Sequence, residues 1–551
     1  PLAGNVFSGS CGDPRPIFNT LNNVDSTYVG ISGGFIYGNV YGGAEEGHVL
    51  DSTYVSISQA VGKTTVIGST GLSGIDGNVF GGGKGKENYV DENDLNFASG
   101  RVQGNTHVKM TGGTVLGNLF GGGNVALTGV DVNGSFSSYV NSSTQMYDSI
   151  NHGRTLVEVS GGTIGNFVNE GFDLLMSDND LGNVYGGGRG TPDDLMEDDL
   201  GRVANTVVNI SGSPRIYSSV FGGGQMANVG YWLGYENWYK PNTGATKVTI
   251  TDSPTIGLEK EFDHAYSIGT GDSLPSWTWY DTINNVRMIS HTCTGNVYGG
   301  GQGDFEIEGG NVVGFEQGHC RTTFVDSSGD PTIMSSVFGG GEDGCVWGDT
   351  KVRIAGGIIG TTGILSDSLV YNASTHQWDT LENHATYSFG NVFGGGYGKD
   401  VRLHVGISNP TTNQLDSING IAGRVYGNTY VDITGGQIHG NVYGGGNMAS
   451  VGSWKKILNG NNLIDLEPAQ YDVNATTGPL SQIFGNTTIT VSGGTIGPLD
   501  YTGLNGNVFG GGRGFTQDND EHKAYINVDT THVIVSAGAN ICGSVFGGGC
   551  D

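Results

Sequence analysis

Along most of the chain, apolar residues fall at every second position in short runs, and each run ends in glycine. Thr106-His-Val-Lys-Met-Thr-Gly-Gly, Thr206-Val-Val-Asn-Ile-Ser-Gly and Thr429-Tyr-Val-Asp-Ile-Thr-Gly-Gly are clear copies. Alternation rich in Val, Ile and Thr is the signature of a strand with one buried face, and the closing glycines supply the positive φ of a turn. A short third segment follows, such as Thr114-Val-Leu or Gln437-Ile-His, and leads into a second motif. That motif reads [GS]-[NS]-[VL]-[FY] and then a glycine-rich turn. It begins at Gly4, Gly38, Gly77, Gly117, Gly182, Ser218, Gly295, Ser335, Gly390, Gly440, Gly506 and Gly543. No stretch carries a helical period.

A unit of this kind cannot bury its own apolar face and needs a copy above and below it. The sequence therefore predicts an all-β fold, a single-stranded parallel β-solenoid of about twelve coils spanning 1–551 as one continuous body. The usual hand of parallel crossovers makes a right-handed β-helix the expected form. Valine-to-valine spacings of 34 to 40 residues mark bare coils, and longer ones, up to 77, mark coils with insertions. The largest insertions are expected near 124–153, 225–245, 258–294, 361–389 and 447–485. They leave at two corners, after the glycine-rich turn and before the GNVF motif.

Stacking turns each motif position into a column. Threonine fills one strand position in eleven copies of eleven, with Thr106, Thr206 and Thr429 among them, and parity points it inward. Asn39, Asn78, Asn118, Asn183, Asn296, Asn391, Asn441 and Asn507 form a second column, with Ser219, Ser336 and Ser544 in its gaps. An asparagine ladder is expected there, each amide donating to the next coil. The third column is aromatic throughout: Phe80, Phe120, Phe221, Phe338, Phe393 and Phe509 alternate with Tyr41, Tyr185, Tyr298 and Tyr443. The four tyrosines imply a ring edge that meets water or a polar partner.

The recurring V-x-I-S-G-G-T-I-x-G-N-V-F-G-G-G string resembles the Gly-rich repeats of large secreted or surface proteins of gut Bacteroidetes. More loosely, it resembles the β-helical passenger domains of bacterial adhesins. The likeness covers nearly the whole chain and brings no catalytic signature with it. It implies a protein exported to the cell surface or beyond, fibrous or adhesive in style.

Composition supports a repeat architecture, with 102 glycines in 551 residues and only 13 prolines. The formal net charge of −29 disfavours a nucleic-acid partner, and no run of 18 apolar residues is long enough to span a membrane. Six scattered cysteines form no CxxC pair. Cys542–Cys550 and two of Cys293, Cys320 and Cys345 are the candidate disulfides.

Candidate chemistry lies in the insertions. Two are rich in exposed-type aromatics, with Trp232, Tyr235 and Trp238 in one and Trp277 and Trp279 in the other. Such planes suit sugar rings or a host-surface ligand, and in the plainer reading they pin the loops to the rod. Acidic loops carry Asp91, Asp94, Asp178, Asp180, Asp198, Asp199, Asp518 and Asp520. These oxygens could hold Ca²⁺ as a cofactor, or simply solvate the loops. None of the loops matches an EF-hand.

No phosphate loop, G-x-S-x-G elbow or H-E-x-x-H occurs. On the Thr strand the second outward column places Lys109 beside Glu158 and alternates Asp326, Arg353 and Asp432, which reads as charge pairing rather than catalysis. The expected function is an extracellular structural or adhesive solenoid, with a polysaccharide lyase or glycoside hydrolase as the enzyme alternative. Because the given residues open and close within a repeat, the expectation is that either the chain continues beyond them or its ends join those of neighbours, a head-to-tail self-association that would grow a filament.

Overall fold

A computed structural model describes residues 4–12, 22–69, 76–85, 99–131, 133–165, 181–191, 200–231, 242–262, 286–308, 311–316, 318–360, 365–372, 377–385, 389–398, 422–452, 454–459, 462–468, 485–497, 505–516, 523–524, 526 and 528–550. The chain is an all-β parallel solenoid. Twelve two-residue strands, from Val6–Phe7 to Val545–Phe546, lie in strict sequence order in one parallel sheet. The Thr strands and the short third segments form the remaining walls, and they too stack in parallel from Thr27–Ile31 to Thr531–Val535. Among the described residues there is no α-helix, only a 3-10 turn at Ser137–Tyr139. None of these elements is a helix long and apolar enough to cross a membrane.

Equivalent residues meet without slippage: Thr206 lies on Thr246 and Val208 on Val248, while Val184 lies on Val220. The first eleven coils send inward one valine or leucine from GNVF, two apolar residues from the Thr strand (Ser327 replaces the second in the seventh coil) and one aliphatic residue from the short wall. Along the rod these merge into one fully buried aliphatic core. Each such side chain is worth about 1.5–3 kcal/mol when buried, and that burial exists only because the adjoining coils are present.

Backbone groups at the corners show why the motif reads as it does. On the GNVF wall Gly42 donates to the Phe80 carbonyl and Gly43 to the Gly82 carbonyl. The Gly81 carbonyl between them is passed over. It accepts instead from Thr53 Oγ1 at 2.5 Å. The same bond recurs from Thr27 to Gly42, Thr106 to Gly121, Thr155 to Gly186, Thr206 to Gly222, Thr246 to Gly299, Thr323 to Gly339, Thr350 to Gly394, Thr429 to Gly444, Thr487 to Gly510 and Thr531 to Gly547. Every threonine of the column thus satisfies a carbonyl passed over on the next coil, buried in all but the Thr531–Gly547 pair at the end of the stack.

The asparagine column does the converse, and in the opposite sense to the ladder expected from sequence. Asn39 Oδ1 accepts the main-chain N–H of Asn78 at 2.9 Å, and Asn118 Oδ1 accepts that of Asn183 at 2.8 Å. Serine serves where asparagine is missing, since Ser219 Oγ accepts from Asn296 N at 3.1 Å. Amide-to-amide bonds are also present, such as Asn78 Nδ2 to Asn39 Oδ1 at 3.1 Å. What the column requires is a short-side-chain acceptor.

Two kinds of glycine are present. The second glycine after the Thr strand has positive φ, as at Gly113 (90°) and Gly436 (84°). The first glycine of the Gly-Gly-Gly turn does not have it. A Cβ on Gly186 would lie 2.2 Å from the Gly222 carbonyl oxygen, the same oxygen that Thr206 bonds. Space, not chirality, demands glycine there.

A two-coil period also emerges. After the glycine-rich turn, coils three, five, seven, nine and eleven place Gly85, Gly190, Gly303, Gly398 or Gly514 at the corner, and an excursion leaves there. The coils between them hold Glu46, Val125, Met226, Asp343 or Met448 at that corner, all with left-handed φ of 46–60°, and run straight on. At the end of the short wall the alternation is reversed. Gly68, Gly165, Gly257, Gly360 and Gly497 release excursions from the even coils, with φ of 87–110°. A third exit lies just before the Thr strand. Segments 124–129, 225–230 and 447–452 belong to the coil, bridging Asn124 to Arg189 and Val425 to Val451, and the chain departs only after Gly129, Gly230 and Gly452. Excursions from coils six and eight join each other. Strands Glu259–Phe262, Val286–Cys293, Leu365–Asn372 and Gln377–Ala385 make one antiparallel sheet, with Val286 paired to Val370.

Cys542 and Cys550 do not pair. The first ends a short wall and its thiol contacts the Gly497 carbonyl, whereas the second bridges to Arg513 at another corner. Cys320 and Cys345 are likewise free and buried.

Replacing Thr206 by Val keeps shape but leaves the Gly222 carbonyl without its donor, an expected loss of about 1–3 kcal/mol. Thr206→Ser should retain most of it. Because stacked repeats unfold in parts, amide exchange on the fifth and sixth coils is the measurement. Unchanged protection in Thr206→Val would contradict the assignment. Gly186→Ala should be worse than either, since backbone rather than a mobile side chain blocks its Cβ.

Candidate functional site

With the interior this uniform, chemical individuality belongs to the corners and outer columns. The sequence-predicted aromatic positions Trp232, Tyr235, Trp238, Trp277 and Trp279 lie outside the described residues. So do the calcium candidates Asp91, Asp94, Asp178, Asp180, Asp198, Asp199, Asp518 and Asp520. Their neighbour Tyr231 is described, and it is buried. Among the described residues no group of three or more His, Cys, Asp and Glu side chains could hold a metal ion.

The best-built side feature is the excursion that leaves the fourth coil after Gly129. Its ring cluster packs against the rod: Phe136 stacks on Tyr231 at 4.5 Å, and Tyr147 meets the same ring at 5.1 Å. Tyr147 donates its hydroxyl to the Gly129 carbonyl at 2.7 Å, and Tyr231 donates to the Thr128 carbonyl. Burial raises the pKa of both phenols. Asp131 closes the loop tip, accepting from the Asn133 and Ser135 amides and the Ser138 hydroxyl. Tyr139 stacks on His152 at 3.7 Å and donates to Gln103 Oε1 at 3.2 Å. Behind them Arg101 is fully enclosed, and none of its guanidinium nitrogens has a hydrogen-bond partner. Burial lowers its pKa to about 10, against the pull of Tyr139 and Asp131. This is a pinned loop, and the aromatic and polar groups in it mainly bond one another.

The aromatic column is a continuous stack. Eleven successive ring pairs lie 4.6–5.1 Å apart and within 14° of parallel. Its tyrosines find polar partners rather than water. Tyr185 donates to Gln302 Oε1 at 2.7 Å, and the Tyr298 hydroxyl accepts from Asn296 Nδ2 at 3.1 Å. Burial pushes Tyr41 and Tyr443 up to about 12.

On the Thr wall the outer columns are in register. Arg353 bonds Asp326 at 3.2 Å, as the alternating signs imply. Glu158 lies beside Lys109 in register, and its carboxylate sits 2.7 Å from His107 Nε2. The first outward column holds Tyr28 stacked on Tyr54 at 5.3 Å, His107 edge-on to Tyr54 at 4.6 Å, and Phe324 between two lysines. Sequence reading considered only the second column and so missed this one. The signal was present in the alternate positions of the same strands.

A buried polar column at the remaining corner was also missed. Asn228 Oδ1 accepts the His319 amide at 2.8 Å, and His319 Nδ1 accepts the Cys345 amide at 3.0 Å. His319 is therefore neutral at Nδ1, and burial pulls its pKa down to about 4. Burial raises the neighbouring Cys345 thiol to about 12 and moves Cys320 in the same direction. These thiols stay protonated and unreactive.

Comparison with protein-family models, with curated proteins and with solved structures finds no match to this chain.

His319 generates a pH signature. Folding holds its imidazole below the unfolded pKa, so the unfolded chain takes up the proton first as pH falls. Stability should be complete above about pH 6.5 and decline progressively to about pH 4, by a few kcal/mol. In His319→Asn an amide oxygen can accept from Cys345, as Asn228 does one coil below, without titrating. Thermal midpoints from pH 7 to 4 should fall less in that variant, and equal slopes would refute the assignment.

Proposed function

We propose that this chain is an extracellular structural or adhesive rod, a segment of a secreted or cell-surface bacterial protein, whose excursions make the contacts. The observation that carries this reading is the unbroken register of one motif over twelve coils, with variation confined to the corners and the outward strand positions. The stacked Thr and Asn/Ser columns spend their polar groups on holding coils together. The thiols, the imidazole and the tyrosines buried in the rod are locked, which suits length and stiffness rather than turnover. The resemblance to Gly-rich surface repeats and to adhesin passenger domains points the same way.

A polysaccharide lyase or hydrolase would need carboxylates or bases converging outside the rod. Within the second outward column, Glu158 adjoins Asn209, and Arg353 separates Asp326 from Asp432. The carboxylates of Glu158 and Asp326 are also engaged by His107 and Arg353.

Two measurements test the proposal. Electron microscopy should resolve strands repeating about every 4.8 Å along a twelve-coil axis of about 55 Å, and the absence of that repeat would refute the rod. Incubation with uronate-containing and neutral polysaccharides should yield no unsaturated ends and no new reducing ends. Their catalytic appearance would replace this reading with the enzyme one.

A further inference from the structure

The first outward column of the Thr wall runs Tyr28, Tyr54, His107, Leu156, Val207, Lys247, Phe324, Lys351, Tyr430, Thr488, His532 in successive coils. In a chain with 53 acidic residues this column contains none. Apart from Thr488 its residues are planar, aliphatic or cationic, and two of its rings are open to solvent: Tyr28 is 67% exposed and Tyr430 is 40% exposed.

At its centre two ammonium groups converge on one ring. Lys247 Nζ lies 5.7 Å and Lys351 Nζ 5.4 Å from the Phe324 centroid. They come from the coils below and above, so the two positions are about 10 Å apart along the axis. Like charges brought to one ring repel each other, and the ring's quadrupole offsets that only in part. Among the flanking acids, Asp326 is held by Arg353, and farther along Glu158 is held by His107. Neither lysine makes an ion pair with an acid of the described residues.

We propose that the Lys247–Phe324–Lys351 stripe binds an acidic polysaccharide, a uronate-bearing chain lying along the rod axis. This rests on the surface-rod reading and names a ligand class for it. The register fixes the cations in a line parallel to the axis, so an extended polymer with widely spaced carboxylates can meet both at once, whereas a compact anion meets one. The exposed Tyr430 continues the line on the next coil and offers an apolar plane to a sugar ring. Duplex nucleic acid has one charge per about 1.7 Å, and the chain's overall negative charge opposes so dense a polyanion.

The test uses the full chain and polygalacturonate as probe, with a neutral glucan and duplex DNA as comparisons, read by co-sedimentation at low and moderate salt. Wild type should bind polygalacturonate, more weakly as salt rises, and should leave glucan and DNA unbound. Lys247→Ala/Lys351→Ala should weaken binding at least tenfold, and Phe324→Ala should weaken it measurably. Lys63→Ala, an exposed lysine off the column, should bind as wild type. All these substitutions are on the outer surface, and an unchanged thermal midpoint verifies the fold. Failure of wild type to bind, an equal loss in Lys63→Ala, or equal binding of glucan or DNA would overturn the inference. Images still showing the strand repeat of the solenoid would confine that failure to the stripe and spare the structural reading.

Discussion

Where the coil turns a corner, some backbone groups bond from coil to coil while others, such as the Gly222 carbonyl, are passed over. The straight walls satisfy themselves, strand on strand, but a corner does so only in part. In an interior without water each stranded group costs about as much as a lost hydrogen bond. The motif reads as the set of answers to this problem. Threonine hydroxyls cap the carbonyl passed over at the glycine turn, and asparagine or serine oxygens receive the amide at the entry to GNVF. A second acceptor series before the Thr strand does the same, with Asn105 Oδ1 taking the Arg154 amide and Asn205 Oδ1 that of Ala245. Asn228 and His319 repeat it at the last corner. Apolar columns make coils attract, but these polar residues determine that they attract in one register.

The two-coil period follows from a different length. An excursion goes out and comes back, and two neighbouring chain passages need about 10 Å, which is two coil heights. If every coil released a hairpin at the same corner, successive hairpins would compete for the same space. Skipping a coil removes the conflict. It also lets hairpins from coils six and eight meet at strand spacing, as the pairing of Val286 with Val370 shows. The skipped coils must then turn without a loop. Five of them do so with a non-glycine residue in the left-handed region, Val125 at φ 46° being the most constrained because it is β-branched.

Much of this was legible in the residues. Period-two alternation gave the walls, the unvarying threonine and aromatic positions gave the columns, and parity gave the threonines their inward direction. The role of each column was harder to read. Asn39 and Asn78 could donate or accept with equal chemistry, and only the position of the next coil's amide shows that they accept. Glycine at 186 could have meant a turn angle, and only the 2.2 Å approach of Gly222 shows that it means space. The alternation was hidden because an excursion at one corner and a direct passage at another differ by a single residue, such as Gly85 against Val125. The Thr wall's first outer column was hidden by attention to carboxylates, which it lacks.

That lack connects interior to surface. Each strand of the Thr wall has its inward positions committed to Thr and, with few exceptions such as Met110 and Ser327, to Val and Ile, so most of its freedom lies in the alternate positions. Parallel stacking without slippage copies each free position along the axis at a constant interval. Any preference there, for rings, cations or paired charges, becomes a line rather than a patch. A rod of this construction therefore meets its surroundings most naturally through partners that are themselves extended and periodic. Lys247, Phe324 and Lys351 can face one polymer together only because Thr246, Thr323 and Thr350 beneath them are locked in register to the glycine turns.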